Sequence, residues 1–92
     1  MGKTIAQIPE DDRPREKLLR KGACALSDQE LLAVLLGKGT ASMDVMTLAA
    51  KLVRLMDERG LHVTANDLTQ FDGVGDAKAT LVLAAIEFAR RR

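Results

Sequence analysis

Aromatic residues are almost missing: the 92-residue chain has two Phe and no Trp or Tyr. That removes the usual base-stacking platform for single-stranded nucleic acid. The core must instead be built from Leu, Val, Ala, Met and Ile, a helix-friendly set. Cysteine is scarce too. Cys24 stands alone, which excludes an intramolecular disulfide and fits a reducing cytosol. No apolar run approaches the roughly 18 residues that span a bilayer. The opening "MGKTIAQIPE" has no apolar signal core, so a cytoplasmic location is expected. Neither sign of charge dominates. Fourteen Lys and Arg against thirteen Asp and Glu leave a net charge of +1. This argues against a strongly electrostatic DNA binder, whose pI usually lies above about 9, but leaves room for local phosphate contact. No segment alternates with a period of two, so no sheet is expected.

What remains is one small helical domain. Residues 1–12, ending in Glu10, Asp11 and Asp12, read as a mobile, solvated leader. "RPREKLLRKG" predicts a short helix. Pro14 suits its first turn, Glu16 its positive end, Arg20 and Lys21 its last turn and Gly22 its stop, with Leu18 and Leu19 on the buried side. In "LSDQELLAVLLGKG", Ser27 and Glu30 form a capping box before a strongly apolar helix that stops at Gly37. "MDVMTLAAKLVRLMDERG" carries Val45, Leu48, Ala49, Leu52, Leu55 and Met56 at helical spacing and ends at Gly60. "LHV" is expected to cross over in extended form. Thr64 and Asp67 mark a second capping box, opening a short helix with Leu68 and Phe71 inward. The last helix runs from about Asp76 to the end. Leu81, Ala85 and Phe88 form one of its stripes; Val82, Leu83 and Ile86 form another. A helix apolar nearly all round is usually central; the alternative is that one stripe meets something outside the domain.

The chain also echoes itself. A shift of 36 residues lays Leu32 on Leu68, Leu35 on Phe71, Gly37 on Gly73 and Gly39 on Gly75. Behind the turns lie Leu48-Ala49-Ala50 and Leu83-Ala84-Ala85. The order is short helix, Gly-x-Gly turn, longer helix, twice, which suggests a diverged duplication.

In "QFDGVGDAKA", positive φ at Gly73 lets the first helix end, and Gly75 lets the backbone approach the second. The amides around Gly75 to Ala77 face outward at a helix N-terminus, a ready anion site. Lys78 adds a charge-assisted contact to a phosphate oxygen, of the kind that tracks the backbone without reading bases. Against this, Asp72 and Asp76 flank the turn, and the Asp76 carboxylate is placed to cap the helix itself. A tight packing turn is the competing reading. The upstream turn "GKGTAS" offers donors at Lys38, Thr40 and Ser42 with no acid before Asp44. Phosphate is therefore expected to prefer the Lys38 turn. A nucleotide-loop reading of "GKGT" fails, because Leu32 stands where such a loop needs glycine.

Leu68, Phe71, Gly73, Val74, Gly75, Ala79 and Val82 together resemble the helix-hairpin-helix pattern of DNA repair and recombination proteins. "RPREKLLRKG", "LSDQELLAVLLGKGT" and "FDGVGDAKATLVLAAIEFARR" resemble the N-terminal region of the RadC family of DNA-repair-associated proteins, over about residues 13–92. The resemblance implies an all-α, five-helix domain with tandem helix-hairpin-helix-like units, similar to the DNA-binding domain of a Holliday-junction protein. Its turns fall at residues 37–42 and 73–78. It implies sequence-independent DNA-backbone binding; the donors of the two turns make Lys38, Gly39, Thr40, Ser42, Gly73, Val74, Gly75 and Lys78 the candidate contact residues. It also implies a following MPN/JAB-like hydrolase domain with a His-x-His pair and an Asp as metal ligands. This chain has a single His and ends before such a region, so it is expected to be non-catalytic and without a cofactor, as an excised domain or a stand-alone fragment. A protein-interaction or scaffolding role, positioning that hydrolase domain, is the second expectation. His62 is expected at the surface, Cys24 as an inert packed thiol, and Met43, Met46 and Met56 in helix packing. Arg90, Arg91 and Arg92 suit a helix C-terminus.

Overall fold

A computed structural model describes residues 8–9, 12–39 and 43–92, with Leu61 described by its backbone alone. The leader acids Glu10 and Asp11 lie outside the described residues. Five α-helices follow in order: α1 (Pro14–Lys21), α2 (Asp28–Leu36), α3 (Val45–Arg59), α4 (Ala65–Thr69) and α5 (Asp76–Arg90). Single 3-10 turns sit between α1 and α2 (Ala23–Ala25) and between α3 and α4 (Gly60–His62). Among the described residues there is no strand, so the fold is all-α as expected.

The helix ends follow from local chemistry. Ser27 and Glu30 close a full capping box: the Glu30 amide donates to Ser27 Oγ at 3.2 Å, and the Ser27 amide to Glu30 Oε1 at 2.9 Å. Thr64 and Asp67 repeat it for α4, with bonds of 3.2 and 2.9 Å. Gly22, Gly37 and Gly60 end their helices at φ of 88°, 76° and 63°, a region that costs glycine little and other residues much. The crossover after Gly60 is not extended as expected. The chain coils through one 3-10 turn before Val63, which buries its side chain in the core.

α2 packs along α3, and α4 packs against α5. Contacts between α2 and α5 join the two pairs, and α1 lies on α2. The centre is Leu48 and Leu52 from α3, Leu68 from α4 and Val82 from α5, all fully buried. Leu32, Ala33 and Leu36 close it from α2, and Val74 from the second glycine turn. Each large aliphatic side chain buried there contributes roughly 1.5–3 kcal/mol. The methionines Met43, Met46 and Met56 pack against this core, half-buried.

Two sequence expectations fail for one reason: neighbours distant in sequence decide burial. Leu19 is 81% exposed rather than buried, because α1 is fastened by Pro14 and by the ion pair of Lys17 with Glu30 at 3.1 Å. Cys24 is an exposed free thiol rather than a packed one. In α5, Val82 is buried and Leu83 and Ile86 are half-buried against the core, but Leu81 and Phe88 face outward. The helix is therefore central on one side only.

Candidate nucleic-acid interface

The two Gly-x-Gly turns share a sequence pattern and differ in construction. At the first, the Lys38 amide donates back to the Leu36 carbonyl at 2.8 Å. Gly37 sits at the apex with φ 76° and ψ −61°, the geometry of a three-residue γ-turn that other residues adopt only with strain. At the second, the Val74 amide donates to the Phe71 carbonyl at 3.0 Å. That is a four-residue turn, with Gly73 at its third position and φ of 91°, where positive φ is needed. Gly37 thus ends α2, but Gly73 does not end α4 as expected: that helix stops at Thr69 with Gln70 as its cap, and Gly73 serves the following turn, where its positive φ is needed.

The second glycine of each turn divides them further. A Cβ on Gly39 would collide with the Met43 carbonyl oxygen and lie 2.6 Å from the Val45 nitrogen. These are backbone atoms that cannot swing aside, so Gly39 is where the chain passes against the start of α3. A Cβ on Gly75 would meet nothing within 4 Å, and its φ of −88° suits any residue. The expected close approach between backbone and helix is therefore made at Gly39, not at Gly75.

The helix N-termini also differ. Asp44 caps α3, its Oδ2 accepting from the Met46 amide at 3.1 Å and the Thr47 amide at 3.2 Å. That carboxylate holds the donors a phosphate would need. The acid counted as remote in the sequence is the α3 cap. α5 begins at Gly75, which brings no side-chain acceptor, and its first backbone bond is Ala79 N–H to the Gly75 carbonyl at 3.0 Å. Asp76 makes no cap bond from the N-cap position; it is the exposed first residue of the helix, complementing the dipole by charge.

Lys78 ties the two turns together. Its Nζ donates to the Leu36 carbonyl at 3.2 Å, across 42 residues. Leu36 thus accepts from both turns, from the Lys38 amide and the Lys78 ammonium. A cation at a helix C-terminus also answers the negative end of the α2 dipole. Lys38 lies two residues beyond that carbonyl and is exposed. Val74, in contrast, is buried and its amide is already committed to Phe71, so its side chain is a packing wedge and not a surface contact. Thr40 and Ser42 lie outside the described residues. The contact between the two turns is therefore the Lys78 ammonium at the Leu36 carbonyl, two residues before Lys38, while Gly39 packs against the start of α3 and Gly75 stands open. Sequence spacing alone contained no sign of the Lys78–Leu36 bond or of the Asp44 cap's consequence for the first turn.

Residues 5–80 match the family described as UPF0758 N-terminal. The chain belongs to that family. It is 47% identical to a UPF0758 protein of Geotalea uraniireducens over 91 residues, covering 95% of this chain and 40% of that one. A UPF0758 protein of Carboxydothermus hydrogenoformans is likewise 47% identical, over 99% of this chain and 41% of its own. For one of Rubrobacter xylanophilus the identity is 46%, over 96% and 40%. The chain thus spans about two fifths of the length of these UPF0758 relatives. No solved structure matches it.

Among the described residues no three His, Cys, Asp or Glu side chains come together as metal ligands. His62 is exposed in the 3-10 turn before α4. Glu87 holds Arg90 and Arg91 at 2.7 Å each, and these hydrogen bonds keep its carboxyl below the usual glutamate range. Among the described residues no helix is long and apolar enough to cross a membrane.

Proposed function

We propose that the domain is a non-catalytic, sequence-independent DNA-backbone-binding module of a RadC-like, cytoplasmic repair-associated protein. Its two helix–turn–helix pairs act as diverged helix-hairpin-helix units. One observation carries this reading. The Lys78–Leu36 bond of 3.2 Å sets the α5 N-terminus beside the first glycine turn. Amides at the start of α5, the ammonium of Lys78 and that of Lys38 then serve one phosphate track. Backbone donors at a helix start, with flanking lysines, grip phosphates without reading bases. The open space over Gly75 lets a backbone phosphate approach the chain closely.

In this arrangement the lysines divide the work. Lys78 both positions the site and contributes charge; Lys38 contributes charge alone. The test is anisotropy with duplex and four-way-junction DNA across a salt series. Binding should weaken steeply as salt rises, with log K falling by about 0.9 per log unit of salt for each phosphate contact. Lys38→Ala should lower that slope by about one contact and leave thermal stability unchanged. Lys78→Ala should lose both affinity and stability. Absence of binding at low salt would overturn the reading. A protein-interaction or scaffolding role, positioning a following hydrolase domain, would then take its place. What favours that second reading is the outward-facing apolar side of α5.

A further inference from the structure

The exposed side of α5 has a pattern of its own. Ala77, Leu81, Ala84 and Phe88 are all exposed, and they follow one another at steps of four, three and four residues. That is the seam of a coiled coil, an apolar stripe with a period of 3.5 that faces a second helix. Leu81 is 46% and Phe88 63% exposed, two of three large hydrophobic residues left facing water among the described residues. From Ala79 to Ile86 the helix has no charged residue on any side, although Thr80, Leu81 and Ala84 are exposed. A solvated helix face normally carries charge there.

The stripe alternates small and large: Ala, Leu, Ala, Phe. Laid against itself in parallel, it sets Ala on Ala and Phe on Phe, leaving voids between crowded layers. Laid against itself antiparallel, it sets Ala77 on the partner's Phe88 and Leu81 on the partner's Ala84. Every layer then joins one small and one large residue, the condition for even packing across facing positions. A two-fold axis between Val82 and Leu83 generates this register, and a two-fold contact needs such self-complementarity. The charges agree. The next step of the stripe is Arg91, which Glu87 holds through Nε at 2.7 Å in the single chain; in the pair it arrives near the N-terminal end of the partner's α5, where the partner's Asp76 opens the helix. The helix dipoles oppose each other.

We infer that the exposed face of α5 is a self-association surface that pairs two copies of this chain antiparallel, through Ala77, Leu81, Ala84 and Phe88. The inference is independent of DNA binding. Arg92 packs its guanidinium over the Phe88 ring at 4.8 Å in the single chain.

Sedimentation equilibrium from about 10 μM to about 1 mM tests it, a range that brackets weak association. The wild-type chain should show a monomer–dimer equilibrium, and Phe88→Asp should abolish it with helical circular dichroism unchanged. Leu81→Ala, which opens a void, and Ala84→Leu, which sets Leu against Leu, should each weaken the dimer. The double variant Leu81→Ala with Ala84→Leu should restore it, because each layer again holds one small and one large residue. A wild-type chain that stays monomeric throughout overturns the inference. So does a dimer indifferent to Phe88→Asp, or one that Ala84→Leu strengthens, as parallel pairing would require.

Discussion

The two halves of this domain start from one pattern and diverge at the turn. In the first, α2 to α3, the chain takes a γ-turn at Gly37, presses Gly39 against the start of α3 and caps that helix with Asp44. In the second, α4 to α5, it takes a four-residue turn at Gly73, buries Val74 and starts α5 at a glycine with no side-chain cap. One turn closes on itself; the other keeps its helix start facing outward. The lesson is that Gly-x-Gly says nothing of which glycine the fold needs. In the first turn both are needed. In the second only Gly73 is; a Cβ on Gly75 would meet nothing within 4 Å.

The largest effect is expected at Gly39. An added Cβ meets only backbone atoms, so Gly39→Ala should cost about 1–3 kcal/mol, the range for forced overpacking. For a domain of this size each kcal/mol lowers the melting temperature by roughly 4–8 °C. Thermal unfolding followed by circular dichroism reads it. A Gly39→Ala variant as stable as the wild type would show that the first turn is not closed against α3.

Removing the α3 cap comes next. Asp44→Ala should cost about 1 kcal/mol, since two amide donors lose their acceptor. Under the DNA-backbone proposal it also opens a second helix start toward phosphate, so affinity for duplex should rise at low salt as stability falls. A stability loss with no gain in affinity would confine the phosphate track to the second turn.

The contrast can also be run the other way. Gly75→Asp copies the Asp44 arrangement onto α5. The backbone there, φ −88° and ψ −172°, already has the extended form of a capping residue. Stability should rise by a few tenths of a kcal/mol, because glycine is itself a fair N-cap. DNA affinity should fall, since a carboxylate then competes for the same donors. Equal affinity for Gly75→Asp and the wild type would remove the α5 N-terminus from the proposed interface.

How far the sequence shows this division depends on distance along the chain. Features set within four residues are legible: both capping boxes, the helix stops at Gly22, Gly37 and Gly60, and the positive φ of Gly73. The 36-residue echo lays Leu32 on Leu68, both buried, and Gly37 on Gly73, both at positive φ, although Gly37 caps α2 and Gly73 lies four residues past the end of α4. It fails after the turns because α3 begins six residues beyond Gly39 and α5 one residue beyond Gly75. Leu48 and Ala49 are consequently core residues, whereas Ala84, in the matching Leu-Ala-Ala step, is exposed. Nothing local distinguishes Leu19 from Leu18, or marks Lys78 as the partner of a carbonyl 42 residues away. For the candidate site, the residue types were legible in the sequence, but their grouping was not.

The smallest expected effect concerns the two capping boxes, which look alike in sequence and differ in surroundings. Burial pushes the Glu30 carboxyl up, but the Ser27 amide, the Lys17 ammonium and the Ser27 hydroxyl together hold it below the usual glutamate range. Asp67 is lowered chiefly by the Thr64 amide, with its hydroxyl and Arg59 assisting, yet Arg59 stands 3.8 Å away and is mostly exposed. A carboxyl lowered in the folded state stabilises the fold above its unfolded pKa, and that stability is lost as pH falls through the folded value. Both boxes therefore weaken on acidification below about pH 4. Glu30 also fastens α1 to α2 through Lys17, so α2 should lose more than α4. Glu30→Gln keeps an oxygen for the Ser27 amide and removes the ion pair. Its stability should be slightly lower at neutral pH and should converge on the wild type in acid. Amide exchange along α2 and α4 at falling pH would resolve the two boxes separately, and equal loss in both would show that the Lys17–Glu30 pair adds nothing to the first half.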